Sequence, residues 1–92
     1  MFIHNTSEVS EKAHIGEGVH IWNNSQIREG VVIGQNSIVG SFVYIDSDVK
    51  IGNNVKIQNR VSIYDGVEIR DGVFIGPHVC FTNDKLPRAI NS

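Results

Sequence analysis

Four histidines, one cysteine and a polar run near residue 85 are the groups with chemistry to offer. His4, His14, His20 and His78 are candidate metal ligands, and a metal such as zinc needs several such donors to converge on one point. The run Thr82-Asn83-Asp84-Lys85-Leu86-Pro87-Arg88 offers a different set. The Asn83 amide both donates and accepts a hydrogen bond, the Asp84 carboxylate accepts, and the Arg88 guanidinium can grip an anion through two parallel bonds. Each also has a plainer use: Asn and Asp cap turns through nearby backbone, and a loop arginine is commonly solvated. Which use prevails depends on the elements that bring these residues together.

Those elements are set by a repeat of six. An aliphatic residue recurs at Ile3, Val9, Ile15, Ile21, Ile27, Ile33, Val39, Ile45, Ile51, Ile57, Ile63, Ile69 and Ile75, and Phe81 takes the next place. A second series of small or β-branched residues falls four places after each member, from Ser7 to Val79, until Lys85 breaks it. A period of six scatters these positions around a helix, whereas on extended chain the fifth position of one hexad and the first of the next share a face. Hexapeptide periodicity is a signature of the parallel β-helix. The second and sixth positions then face outward, and the third and fourth lie at the corners. The glycines and the paired asparagines concentrate at the second, third and fourth positions, where tolerance of positive φ is expected to matter.

Three hexads to a coil would stack residues 18 apart. No two of the four histidines have that spacing, so none stack within the subunit and a metal site would need imidazoles from neighbouring subunits. The same spacing places Tyr64 one coil below Thr82 on the same outer face. It also sorts the outward positions into one apolar face, with Trp22, Ile38 and Phe74, and two polar ones.

Composition narrows the function. Over 92 residues the net charge is −2 with 20% charged residues. The scattered lysines and arginines predict no nucleic-acid surface. The first repeat begins at Phe2-Ile3, so no signal peptide is expected, and no apolar run is long enough for a membrane helix. A lone Cys80 fits a reducing, cytoplasmic setting. The expected division is a β-helix over residues 1–83 and a C-terminal loop or tail over 84–92. A departure from a strict local rule is where a functional site is expected, and this chain departs after Phe81.

At these residues the sequence resembles a known family. Phe74-Ile75-Gly76-Pro77, Phe81-Thr82-Asn83-Asp84-Lys85 and Pro87-Arg88 resemble the segment closing the N-terminal coils of bacterial nucleotide-sugar N-acetyltransferases of the hexapeptide-repeat superfamily. The nearest in pattern acetylate the 3-amino group of a dTDP- or UDP-linked sugar, for cell-surface polysaccharides such as lipopolysaccharide. Phe2-Ile3-His4, Ile21-Trp22, Val55-Lys56-Ile57-Gln58 and Tyr64-Asp65-Gly66-Val67 extend the resemblance over the whole chain.

The resemblance implies a left-handed β-helix of just under five coils, a homotrimer, acetyl-CoA as cosubstrate and a nucleotide-linked amino sugar as acceptor. Handedness rests on the resemblance alone, since the ordinary crossover rule favours the right hand. Family members continue into further coils that make most of the CoA contacts, so the chain corresponds to their N-terminal half. Asn83 and Asp84 are the implied catalytic residues, and Tyr64, Asp65, His78 and Arg88 the implied substrate contacts. Two other readings remain: a non-catalytic β-helical assembly module, and a metalloenzyme like the γ-class carbonic anhydrases.

Overall fold

Each hexad forms a two-residue strand followed by a four-residue corner, and three such units complete one coil. The computed structural model describes residues 1–82, and over that span the chain is a left-handed parallel β-helix of hexapeptide repeats. Its strands are β1 (Phe2–Ile3), β2 (Glu8–Val9), β3 (His14–Ile15), β4 (His20–Ile21), β5 (Gln26–Ile27), β6 (Val32–Ile33) and β7 (Ile38–Val39). They continue as β8 (Tyr44–Ile45), β9 (Lys50–Ile51), β10 (Lys56–Ile57), β11 (Ser62–Ile63), β12 (Glu68–Ile69), β13 (Phe74–Ile75) and β14 (Cys80–Phe81). Sheet A stacks β1-β4-β7-β10-β13, sheet B stacks β2-β5-β8-β11-β14, and sheet C stacks β3-β6-β9-β12. Register is constant from coil to coil. Ile21 pairs with Val39 and Val39 with Ile57, so like side chains lie over like.

The interior is the pair of series read from the sequence. Ile21, Ile33, Ile45, Ile57 and Ile63 are fully buried, as are Val19, Val31, Val43, Val49, Val55 and Val61 beside them. Ile3, in the first coil, is 37% exposed because it has a packed neighbour on one side only. Phe81 points inward and packs partly against the core, in register with Ile63. Two serines interrupt the valine series without leaving polar atoms stranded. Buried Ser25 donates to the Gly40 carbonyl at 2.8 Å and accepts from the Val43 N–H at 3.0 Å. Ser37 does the same with Gly52 at 2.9 Å and Val55 at 3.0 Å.

The corners divide the work more sharply than the sequence suggests. The residues with positive φ are Gly18, Asn24, Gly30, Asn36, Phe42, Asp48, Asn54, Arg60, Gly66, Gly72 and His78, and all hold the fourth hexad position. The third position supplies caps: Asn53 and Asn59 accept from the backbone N–H of Gln35 and Ser41, each at 2.9 Å. Glycine at the second position has a different cause from the positive φ expected there. A Cβ on Gly16 would lie 2.8 Å from the Gln35 nitrogen, and one on Gly40 would lie 2.9 Å from the Gln58 carbonyl carbon. The next coil lies directly on these glycines, so steric closeness selects them.

Candidate functional site

The edge between sheets B and C collects acids. Glu11, Glu29, Asp46, Asp48 and Asp65 all fall in the segments that link a sheet B strand to the following sheet C strand. Within this edge a network runs across three coils. The Arg28 guanidinium donates from Nε to Glu29 Oε1 at 3.2 Å and from Nη1 to the Tyr44 hydroxyl at 3.2 Å. Tyr44 in turn donates to Asp46 Oδ1 at 3.1 Å, which also accepts the Ser47 N–H at 2.8 Å. Asp46 Oδ2 then accepts the Asp65 N–H at 3.4 Å, so the network ends on the turn that carries Tyr64 and Asp65. The rings of Tyr44 and Tyr64 meet with centroids 5.9 Å apart and planes tilted by 51°. The Tyr64 side chain remains well exposed, at 39%.

The electrostatics follow the hydrogen bonds. The Ser47 N–H, then the Tyr44 hydroxyl and the Asp65 N–H, hold the Asp46 carboxyl below the usual carboxylate range against a smaller opposing effect of burial. The Tyr44 hydroxyl and the Glu29 carboxylate raise the already high pKa of Arg28. Glu29 is lowered by its own backbone N–H and by Arg28. All three groups are therefore ionised at neutral pH. Because the folded-state pKa of Asp46 is depressed, its contribution is present above the unfolded value of about 3.9 and is lost as pH falls through the folded value. A carboxyl-detected NMR titration is expected to place the Asp46 midpoint below about 3.9, with the Asp65 amide shifting in the same acid window. A midpoint at or above that value would mean that the network does not form.

Of the six residues singled out by sequence, the structure brings Tyr64 and Asp65 together on this edge. His78 lies across sheet B, on the edge between sheets A and B, where its N–H bonds the Asn59 carbonyl at 3.1 Å. Asn83, Asp84 and Arg88 lie outside the described residues. Arg28, Tyr44 and Asp46 were not found by sequence reasoning. Tyr44 and Asp46 are two apart on one strand face, and Arg28 is one coil from Asp46, so the 18-residue register held the signal.

Two open concavities accompany these features. One of about 270 Å³ runs beside Glu8, Ser10, Gln26 and Arg28 on sheet B. The other, about 530 Å³, lies on sheet C beside Lys50, Glu68, Arg70 and Asp71, away from the network. Size alone does not make it the site, because its two cations and two carboxylates cancel. Among the described residues no three His, Cys, Asp or Glu side chains gather to hold a metal. His4 Nδ1 is already used by Thr6, whose N–H approaches it at 3.2 Å.

The coil geometry and the sequence agree on ancestry. Residues 12–47 and 48–83 match the bacterial transferase hexapeptide family, a model of six repeats. The chain belongs to that family. No curated protein matches it. Among solved structures it is similar to a mutant perosamine N-acetyltransferase from Caulobacter crescentus, in complex with CoA and GDP-perosamine. Identity is 16% and the TM-score 0.42, over 87% of this chain and 50% of that one. This member of the hexapeptide family thus spans about half the length of that solved relative, and at such identity the likeness carries no argument about activity.

Proposed function

We propose that the chain forms the acceptor side of an acetyl-CoA-dependent N-acetyltransferase that acts on a nucleotide-linked 3-amino sugar. The observation that carries this reading is the acidic edge between sheets B and C. Asp65 and Tyr64 stand there on the Asp46 network, one coil below the segment that follows Phe81, where the sequence departs from the repeat. An amino sugar arrives largely protonated, and an acidic edge attracts it. Transfer then needs the neutral amine held against the acyl carbon, and a carboxylate or amide oxygen that accepts an N–H fixes the direction of the lone pair. The C–N bond forms as the C–S bond breaks, and the amine proton leaves to the thiolate or to solvent. Asn83 and Asp84 are proposed for the orienting role, with Tyr64 packing against the sugar ring.

Acetyl-CoA would supply the thioester. Assembly as a homotrimer is part of the proposal. Sheet A offers an apolar face for it, with Trp22 46% and Phe74 65% exposed and the Phe2 and Trp22 rings 5.7 Å apart.

Titration calorimetry with dTDP- and UDP-linked amino sugars tests the reading. Binding is expected, weakened at least several-fold, of the order of 1 kcal/mol, by Asn83→Ala, which removes one donor and one acceptor. No heat with any such sugar, or unchanged affinity in Asn83→Ala, would leave a scaffold.

A further inference from the structure

The edge between sheets A and B contrasts with the acidic one in both charge and backbone. On the other two edges the fourth-position residues with positive φ are Gly18, Asn36, Asn54 and Gly72, and Gly30, Asp48 and Gly66. These are the types that accept a left-handed conformation readily. On the A–B edge the same position holds Asn24, Phe42, Arg60 and His78, at φ of 57°, 57°, 61° and 66°. Three consecutive coils thus place bulky side chains where Asn or Gly would fold with less strain. Strain of this kind concentrates at functional positions.

The side chains form a stack. The Arg60 guanidinium lies over the Phe42 ring, 4.6 Å from its centroid, and Phe42 is itself 46% exposed. Such stacking fixes the guanidinium plane while leaving its N–H edges for a ligand. Among the described residues no carboxylate lies within ion-pair distance of Arg60. The segments 38–44, 56–62 and 74–80, which build this edge, contain Lys56, Arg60 and His78 and no Asp or Glu. In a chain of net charge −2, a carboxylate-free cationic edge is a local departure from the average.

We propose that Phe42, Arg60 and His78 form a docking site for the diphosphate of a nucleotide. The guanidinium takes phosphate oxygens through paired N–H donors, and the aromatic shelf beneath holds it in plane. The inference rests on the acceptor reading above and assigns the nucleotide half of that ligand to the opposite edge of sheet B. Thr82 lies four positions after His78, a span of at most about 14 Å, which the extended Arg60 side chain and the sugar ring between diphosphate and amine can bridge together.

The test is an amide NMR titration of the full chain with inorganic pyrophosphate, UDP, dTDP and, as the phosphate-free control, uridine. UDP or dTDP is expected to shift Phe42, Asn59, Arg60 and His78, pyrophosphate to shift the same amides more weakly, and uridine to leave them unmoved. Arg60→Gln is expected to weaken binding at least tenfold, and added salt to weaken it further. Phe42→Asn relieves backbone strain, so it is expected to raise the melting temperature while weakening binding several-fold. A purely structural role for Phe42 would not separate these two readouts. Wild-type affinity in Arg60→Gln, equal shifts with uridine, or no shift at these amides with any probe would overturn the site. If amino-sugar binding at Asp65 nevertheless persists, the acceptor reading stands without it. Diphosphate binding here with no response to amino sugars would keep the site and sink that reading.

Discussion

Ile57→Ala lowers the unfolding free energy by about 2–5 kcal/mol, the range for emptying a packed core position. The same truncation at Ile3 costs roughly 1 kcal/mol, since less apolar surface returns to water there. Ile57 is 1% exposed and sits between Val39 and Ile75 in its column, whereas Ile3 is 37% exposed. A β-helix contacts only its neighbouring coils, so the cavity cannot be filled by rearrangement from elsewhere. Denaturant unfolding of the two variants at one fixed protein concentration checks this, because self-association would otherwise shift both. Equal losses at the two positions would show that the interior columns do not carry the stability.

The columns were legible because burial and period coincide. Every first-position residue from Ile21 to Ile75 is buried, and the strands occur at the places where the hexad pattern puts them. What the pattern hides is the chemistry of the outward positions. Tyr44 reads as an ordinary surface aromatic until the stacked register sets it between Arg28 and Asp46. Phe42 reads as a turn residue of unsuitable type, and its partner emerges only with Arg60 lying over it one coil away. Composition finds the corners, because Asn and Gly mark them, but it does not say which corner residue turns the chain and which yields space. That distinction depends on contacts between residues 18 apart, and local propensity carries no information about those.

Gly34→Ala separates the two roles of glycine. Gly34 holds a second hexad position, and its φ is not in the left-handed region, so alanine is conformationally acceptable there. In open space the substitution would stabilise by about 0.4–1 kcal/mol, through the lower entropy of the unfolded chain. Space is what is missing. An added Cβ would lie 2.5 Å from the Gly52 carbonyl carbon and 2.6 Å from the Asn53 nitrogen, both backbone atoms of the coil above. Backbone cannot rotate away as a side-chain tip can, so the two coils must separate locally and strain the hydrogen bond from the Gly34 N–H to the Ile51 carbonyl, now 2.8 Å. A net loss of about 1–3 kcal/mol is expected, as for overpacking elsewhere. Gly76→Ala provides the control, since no described atom lies within 4 Å of its added Cβ. Its melting temperature should stay level or rise while that of Gly34→Ala falls. A parallel change in both variants would return the second-position glycines to a conformational role and remove the argument from coil-to-coil contact.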